Sequence, residues 1–125
     1  MTVVVDTSVL IDVLRGRDDA ARSLRAARES GPLHASEITR LEILAGMRPG
    51  EESATRDFFR AFEWHLVDER VAEIAGALGR QWLPGNRGID AADLVIAATA
   101  VSLDAQVYTM NVKHFPMFAD LTAPY

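Results

Sequence analysis

Residues 3–6 read Val-Val-Val-Asp, and Thr7 and Ser8 lead at once into a helix-like stretch from Val9 to Leu14. A β-branched run with no polar alternation is the pattern of a strand buried on both faces, as in a parallel sheet. Open α/β sheets build their sites beyond the carboxyl ends of such strands. Asp6 is therefore expected at the rim of a crevice, beside a helix N-terminus. What one carboxylate there does depends on which others converge on it.

The rest of the chain repeats the pattern. Strands are expected at 2–5, 33–35, 64–67 and 106–109, and helices at 8–14, 19–29, 37–46, 51–62, 69–82 and 91–103. A loop is expected at 84–89 and a short helical turn near Phe115–Phe118. Helices alternating with short apolar strands predict an α/β fold with a parallel sheet and crossover helices. Helix 69–82 has a cap in Asp68, an apolar stripe of Val71, Ile74, Ala75, Leu78 and Trp82, and a stop in Pro84-Gly85. Ser36 can cap the helix that carries Glu42, and Gly46 can close it. The 125 residues show no linker or repeat and suit one domain over 1–125.

The formal net charge of −5 is the wrong sign for binding nucleic acid by bulk attraction. A nucleic-acid role would need a local basic patch, or metal ions offsetting clustered acids. Twelve of the thirteen basic residues are Arg, the side chain that grips phosphate in a fork. With no Cys, disulfides and thiolate metal sites are excluded, and the composition suits a reducing, cytoplasmic setting. No stretch of about 18 uncharged apolar residues is present to span a membrane, and no basic, apolar leader is read at the N-terminus.

Three acids interrupt apolar sequence. Glu42 lies in Ile38-Thr39-Arg40-Leu41-Glu42-Ile43-Leu44-Ala45-Gly46. At about 100° per residue, Ile38, Ala45 and Gly46 all fall within about 60° of it, so its charge needs a partner or a metal. Asp93 opens the nearly all-apolar helix Ala91–Thr99 and has capping-box spacing from Asp90. An acid in the first turn of a buried helix points at the sheet rim, where Asp6 is expected. Asn111 follows the last strand as Asp6 follows the first, and supplies an oxygen without charge. Three such carboxylates form an oxygen cage suited to Mg²⁺ or Mn²⁺ rather than Zn²⁺. A cage of this kind orients water and offsets charge on a phosphodiester. His34, His65 and His114 are scattered, which argues against histidine-based catalysis.

Together these motifs resemble the PIN domain. They are Val-Val-Asp6-Thr-Ser8, Glu42-Ile-Leu-Ala-Gly, Asp93-Leu-Val-Ile-Ala-Ala-Thr-Ala and Thr109-Met-Asn111-Val-Lys-His-Phe115. Within the family they are similar to VapC-type toxins, over residues 2 to about 118. The resemblance implies an α/β/α sandwich and a Mg²⁺- or Mn²⁺-dependent RNA endonuclease. It also implies a homodimer and a cognate VapB antitoxin, joined in a heterotetramer or larger assembly. It assigns Asp6, Glu42 and Asp93 to the acidic triad. Ser8 and Thr109 become hydroxyls that hold the acids, Asp90 an auxiliary acid, and Asn111 the fourth position, where many members have Asp. It makes Arg15 and Arg17 candidate RNA contacts. The apolar edge formed by Phe58, Phe59 and Phe62 reads as core or as an antitoxin strip.

Three alternatives are weighed from sequence, one of them a binding-only domain with a degenerate site, which Asn111 alone supports and three intact acids oppose. A housekeeping RNA-processing PIN nuclease would carry the same site. A Mg²⁺-binding phosphoacceptor signalling domain also places acids at strand ends, but it calls for an acid pair after the first strand, where this chain has Asp6-Thr7-Ser8.

Overall fold

The computed structural model describes residues 2–125. Its strands are β1 (Val3–Val5), β2 (Leu33–Ser36), β3 (Phe62–His65) and β4 (Gln106–Tyr108). The helices are α1 (Thr7–Leu14), α2 (Asp18–Glu29), α3 (Glu37–Ala45), α4 (Glu52–Phe59), α5 (Glu69–Trp82) and α6 (Ala91–Ser102), with a 3₁₀ turn at Val112–His114. All three strand pairings are parallel, in the order β3-β2-β1-β4.

Burial explains this order. β1 is central, and Val3, Val4 and Val5 are all buried. Val3 and Val5 face a core cluster with Val9, Leu10 and Leu24 of α1 and α2, and with Phe59 of α4. Val4 faces the other way, onto Ile96, Ala97 and Ala100 of α6 and onto Phe115. Val71 and Ala75 of α5 then pack on Ala98 of α6. Helical layers thus cover both faces of the sheet, making the expected α/β/α sandwich. Alanines on α6 let it lie close to both neighbours. Among the described residues, no helix is long and apolar enough to cross a membrane.

The topology also locates a crevice. From β1 the chain steps outward through β2 to β3, then returns by α5 and α6 to place β4 on the opposite side of β1. The reversal opens a gap at the carboxyl ends of β1 and β4, where ligands bind in open α/β sheets. Asp6 and Thr109 end those two strands.

Helix α4 and strand β3 differ from expectation by more than one residue, the strand expected at 64–67 running over Phe62–His65 and leaving Leu66 and Val67 exposed beyond it. The helix expected at 51–62 stops at Phe59, and Phe62 opens β3. The indole N–H of Trp64 donates to the Phe59 carbonyl at 2.9 Å, capping the helix end with a strand side chain. The turn expected near Phe115–Phe118 is present, closed by Phe118 N–H on the Phe115 carbonyl at 3.2 Å, and the 3₁₀ turn Val112–His114 precedes it; Phe115 between them is wholly buried. The caps expected from Ser36 and Asp68 are present, accepting from Ile38 N–H at 3.1 Å and Val71 N–H at 2.9 Å.

Candidate active site

A cleft of about 370 Å³ lies over the gap between β1 and β4. Asp6, Asp12, Glu42, Asp90 and Asp93 line it, with Ser8, Asn111 and His114. Five carboxylates from three segments distant in sequence therefore share one opening.

Asp6 is only 3% exposed and sits at the N-cap position of α1, yet its side chain does not cap that helix. Instead its Oδ2 accepts the hydroxyls of Ser8 and Thr109, each at 2.7 Å. Those hydroxyls are held in turn by backbone: Met110 N–H donates to Ser8 Oγ at 3.2 Å and Asn111 N–H to Thr109 Oγ1 at 2.9 Å. Two main-chain donors after β4 thus act through two hydroxyls on one oxygen of Asp6. No described side chain donates to Oδ1, and no buried side-chain oxygen lacks a partner, so Oδ1 opens to the cleft. The α1 N-terminus favours the anion.

Glu42, on α3, is half-buried among the apolar neighbours expected for it. Its Oε1 lies 2.8 Å from Thr7 Oγ1, which is also 3.0 Å from Thr39 Oγ1. One hydroxyl proton serves one acceptor, and the charged carboxylate is the stronger. Oε2 has no protein donor among the described residues.

Asp93 combines two roles. Its Oδ2 accepts Asp90 N–H at 3.1 Å while Asp90 Oδ1 accepts Asp93 N–H at 2.9 Å, the reciprocal capping box that the spacing predicted. The side chain is also buried in the cleft wall. Burial pushes its carboxyl up to about 6; the capping N–H of Asp90 pulls down, the Asp90 charge pushes up, His114 pulls down and the Asp6 charge pushes up.

Ser8, Thr109, Asp90 and Asn111 all stand at this site. Arg15 and Arg17 do not line the cleft and are already paired. Arg15 Nη1 meets Glu51 at 2.9 Å, and Arg17 Nε meets Asp19 at 2.8 Å with its guanidinium stacked 4.9 Å from the Tyr125 ring. Each would have to leave a partner to meet a phosphate. Of the aromatic edge, Phe59 and Phe62 are core, whereas Phe58 lines an apolar groove of about 190 Å³ with Val13, Leu24 and Ala61, flanked by Arg25 and Arg28.

Two cleft residues were missed in the sequence. Asp12 lies four residues after Ser8 on α1, a helical spacing that could have placed it; the Tyr125 hydroxyl donates to its Oδ2 at 2.6 Å. The other is His114, one of three histidines scattered in sequence; in the fold His34 and His65 meet, and His114 lines the cleft without them. His34 Nδ1 and His65 Nε2 are 2.8 Å apart across β2 and β3, and His114 Nδ1 stands 3.1 Å from Asp93 Oδ2.

The donor set is oxygen-rich and anionic, the chemistry of a hard divalent cation. Among the described residues, no three acid or histidine side chains come close enough to enclose an ion by themselves. Mg²⁺ asks for less, taking one or two carboxylates and completing its shell with water and substrate oxygens. Asp6 and Asp93 fit that demand, each with an oxygen left unbonded by protein.

The PIN domain family profile matches residues 3–116. Ribonuclease VapC19 of Mycobacterium tuberculosis is 47% identical over 97% of this chain and 98% of its own length. Ribonuclease VapC10 of the same organism is 37% identical over 98% of this chain and 92% of its own. A toxin–antitoxin complex from Klebsiella pneumoniae contains a chain superposing with a TM-score of 0.81 at 28% identity, over 99% of this chain and 98% of that one.

Proposed function

This chain belongs to the PIN domain family, and from that premise we propose that it is the ribonuclease toxin of a VapBC-type toxin–antitoxin pair, cutting RNA at the cleft between β1 and β4. The observation that carries the reading is the placement of Asp6, Glu42 and Asp93 in one cleft at the reversal of strand order, with Asp6 oriented by Ser8 and Thr109.

The chain's own residues divide the work. Asp6 Oδ1 and the unbonded oxygen of Asp93 would hold a Mg²⁺ or Mn²⁺ ion. Bound there, the ion would offset charge building on the phosphodiester and help align a water. Glu42 Oε2 is free to accept a hydrogen bond from that water and take its proton as it attacks phosphorus, while one ester P–O bond breaks and the leaving ribose oxygen takes a proton from solvent. Asn111 adds a neutral oxygen where many relatives carry a fourth charge; with Asp12 bonded to the Tyr125 hydroxyl and Asp90 to the Asp93 N–H, the three remaining acids match one ion better than two. In this reading the protein is cytoplasmic and pairs with a second copy of itself. Its VapB-type antitoxin lays an apolar helix in the groove beside Phe58, where Arg25 and Arg28 favour an acidic flank.

The test is cleavage of RNA by the purified chain in Mg²⁺ or Mn²⁺, in chelator, and with Asp6→Ala. Cleavage in metal alone, lost in Asp6→Ala, is expected. Equal cleavage in chelator would refute the role of the ion. Calorimetric titration with Mn²⁺ is expected to show one site per chain; two tight sites would overturn the charge argument at Asn111.

A further inference from the structure

We infer that His114 contacts the ribose 2′-hydroxyl of the bound strand and so sets the preference of this cleft for RNA over DNA. The inference rests on the ribonuclease reading and names a residue that reading does not use.

His114 is the only described side chain lining the cleft that is neither acidic, hydroxylic, amide nor aliphatic. Its ring is held in place. The 3₁₀ turn is closed by His114 N–H on the Asn111 carbonyl at 2.9 Å, and the next residue, Phe115, is fully buried. Nδ1 faces Asp93 Oδ2 at 3.1 Å. Nδ1 is thereby the nitrogen committed to Asp93, in an ion-pair contact that a hydrogen on Nδ1 favours because a carboxylate oxygen only accepts. Nε2 is then the atom left for substrate. It is not buried without a partner, and the side chain is 38% exposed. The loop beside it passes as Gly88, at φ +97°, and even a Cβ built there would stand 3.9 Å from Nε2. Nothing at that position covers the nitrogen.

The chemistry of an RNA strand selects the partner. Phosphate oxygens only accept, so they pair with Nε2 only when the ring is cationic, and five carboxylates oppose them here. A 2′-hydroxyl both donates and accepts, so it pairs with Nε2 in either state of the ring. Every RNA nucleotide has one and DNA has none, which makes it the group that separates the two. The hydroxyl-bearing residues lining the cleft are already engaged. Ser8 spends its proton on Asp6 and accepts from Met110 N–H, and Thr7 spends its proton on Glu42.

The test is a two-by-two comparison. Wild type and His114→Ala are assayed on an RNA oligonucleotide with a mapped cleavage site, and on copies carrying a single 2′-deoxy substitution at each nucleotide flanking the cleaved bond. For wild type, one substitution is expected to lower kcat/KM by roughly five- to tenfold, the value of one hydrogen bond. His114→Ala is expected to lose a similar factor on all-ribose RNA, through KM, and to be indifferent to that substitution. His114→Gln, which keeps a polar side chain, should recover part of the discrimination. In the uncleaving background of Asp6→Asn, fluorescence anisotropy should show the same ribose preference in binding, and His114→Ala should remove it. If His114→Ala lowers ribose and deoxy substrates equally, His114 only positions Asp93 and the inference fails. If Asn111→Ala rather than His114→Ala abolishes discrimination, it fails as well. Absence of cleavage by wild type on any RNA would overturn the ribonuclease reading itself, a different result from cleavage indifferent to His114.

Discussion

Two hydroxyls converge on one oxygen of Asp6, and each is steadied by a backbone N–H beyond β4. Replacing Thr109 by Val keeps the volume but removes one donor to a buried carboxylate and leaves the Asn111 N–H without its acceptor. Such a loss costs about 1–3 kcal/mol. The expected result is a melting temperature lower by roughly 3–10 °C and cleavage reduced by about tenfold, both measurable on one preparation. Asp93 yields a second expectation, with the opposite sign to that of an ion-paired aspartate. Its folded carboxyl is raised to about 6, mainly by burial, above the unfolded value near 3.9. Between these values the folded state binds more protons than the unfolded one, so this residue's contribution falls as pH rises from about 4 to 6. In chelator, thermal melts should show wild type losing stability over that window relative to Asp93→Asn; parallel curves would contradict the burial argument. Asp6, Glu42 and Asp93 could be read from sequence because each breaks an apolar run, where an unpaired charge is costly. Asp12 also breaks an apolar run, Val9-Leu10-Ile11-Asp12-Val13-Leu14, and was open to the same reasoning; His114 was not, since it interrupts no such run. Their roles depend on which segments the fold brings beside Asp6 and Asp93.

The elements show the same division. Helix α5 was readable end to end, having a cap, an apolar stripe and a stop in sequence. Within it, Gly76 is an exposed interior glycine with nothing within 4 Å of the position a Cβ would take. Gly76→Ala should therefore raise stability by about 0.5–1 kcal/mol, while Asp68→Ala, which strips the cap on Val71 N–H, should lower it by about 1 kcal/mol. Denaturant titrations resolve both. Helix α4 was overextended because Phe58, Phe59 and Phe62 satisfy helical spacing, while Phe62 and Trp64 also satisfy the alternation of a strand. A short apolar run carries both periods. Trp64 favours the strand: its indole N–H closes on the Phe59 carbonyl five residues back while its backbone sits opposite Ala35 of β2.

At the level of the whole molecule, parallel topology was legible from the alternation of elements, and the strand order was not. Nothing in the local pattern of Gln106-Val107-Tyr108 says that it lies beside β1 rather than at the outer edge of β3. That placement depends on Val107 and Phe115 sharing a core cluster with Val4. A chain ending at residue 103 would keep every acid of the triad yet lose β4, Thr109 and Phe115. It is expected to melt without a cooperative transition and to cut no RNA, as circular dichroism and the cleavage assay would show.

The bond between Thr109 and Asp6 spans 103 residues, and separation along a chain is also separation in time. A ribosome adding about 5–20 residues per second completes Asp6 roughly 5–20 seconds before it makes Thr109. Through that interval Asp6 lacks one of its two hydroxyl donors and β1 has no neighbour on one side. The cleft whose first acid is among the earliest residues synthesised is thus among the last parts to be finished. A growing chain of this protein is therefore expected to be inert toward the messenger being read until β4 is made, which a cleavage assay on stalled nascent chains would show.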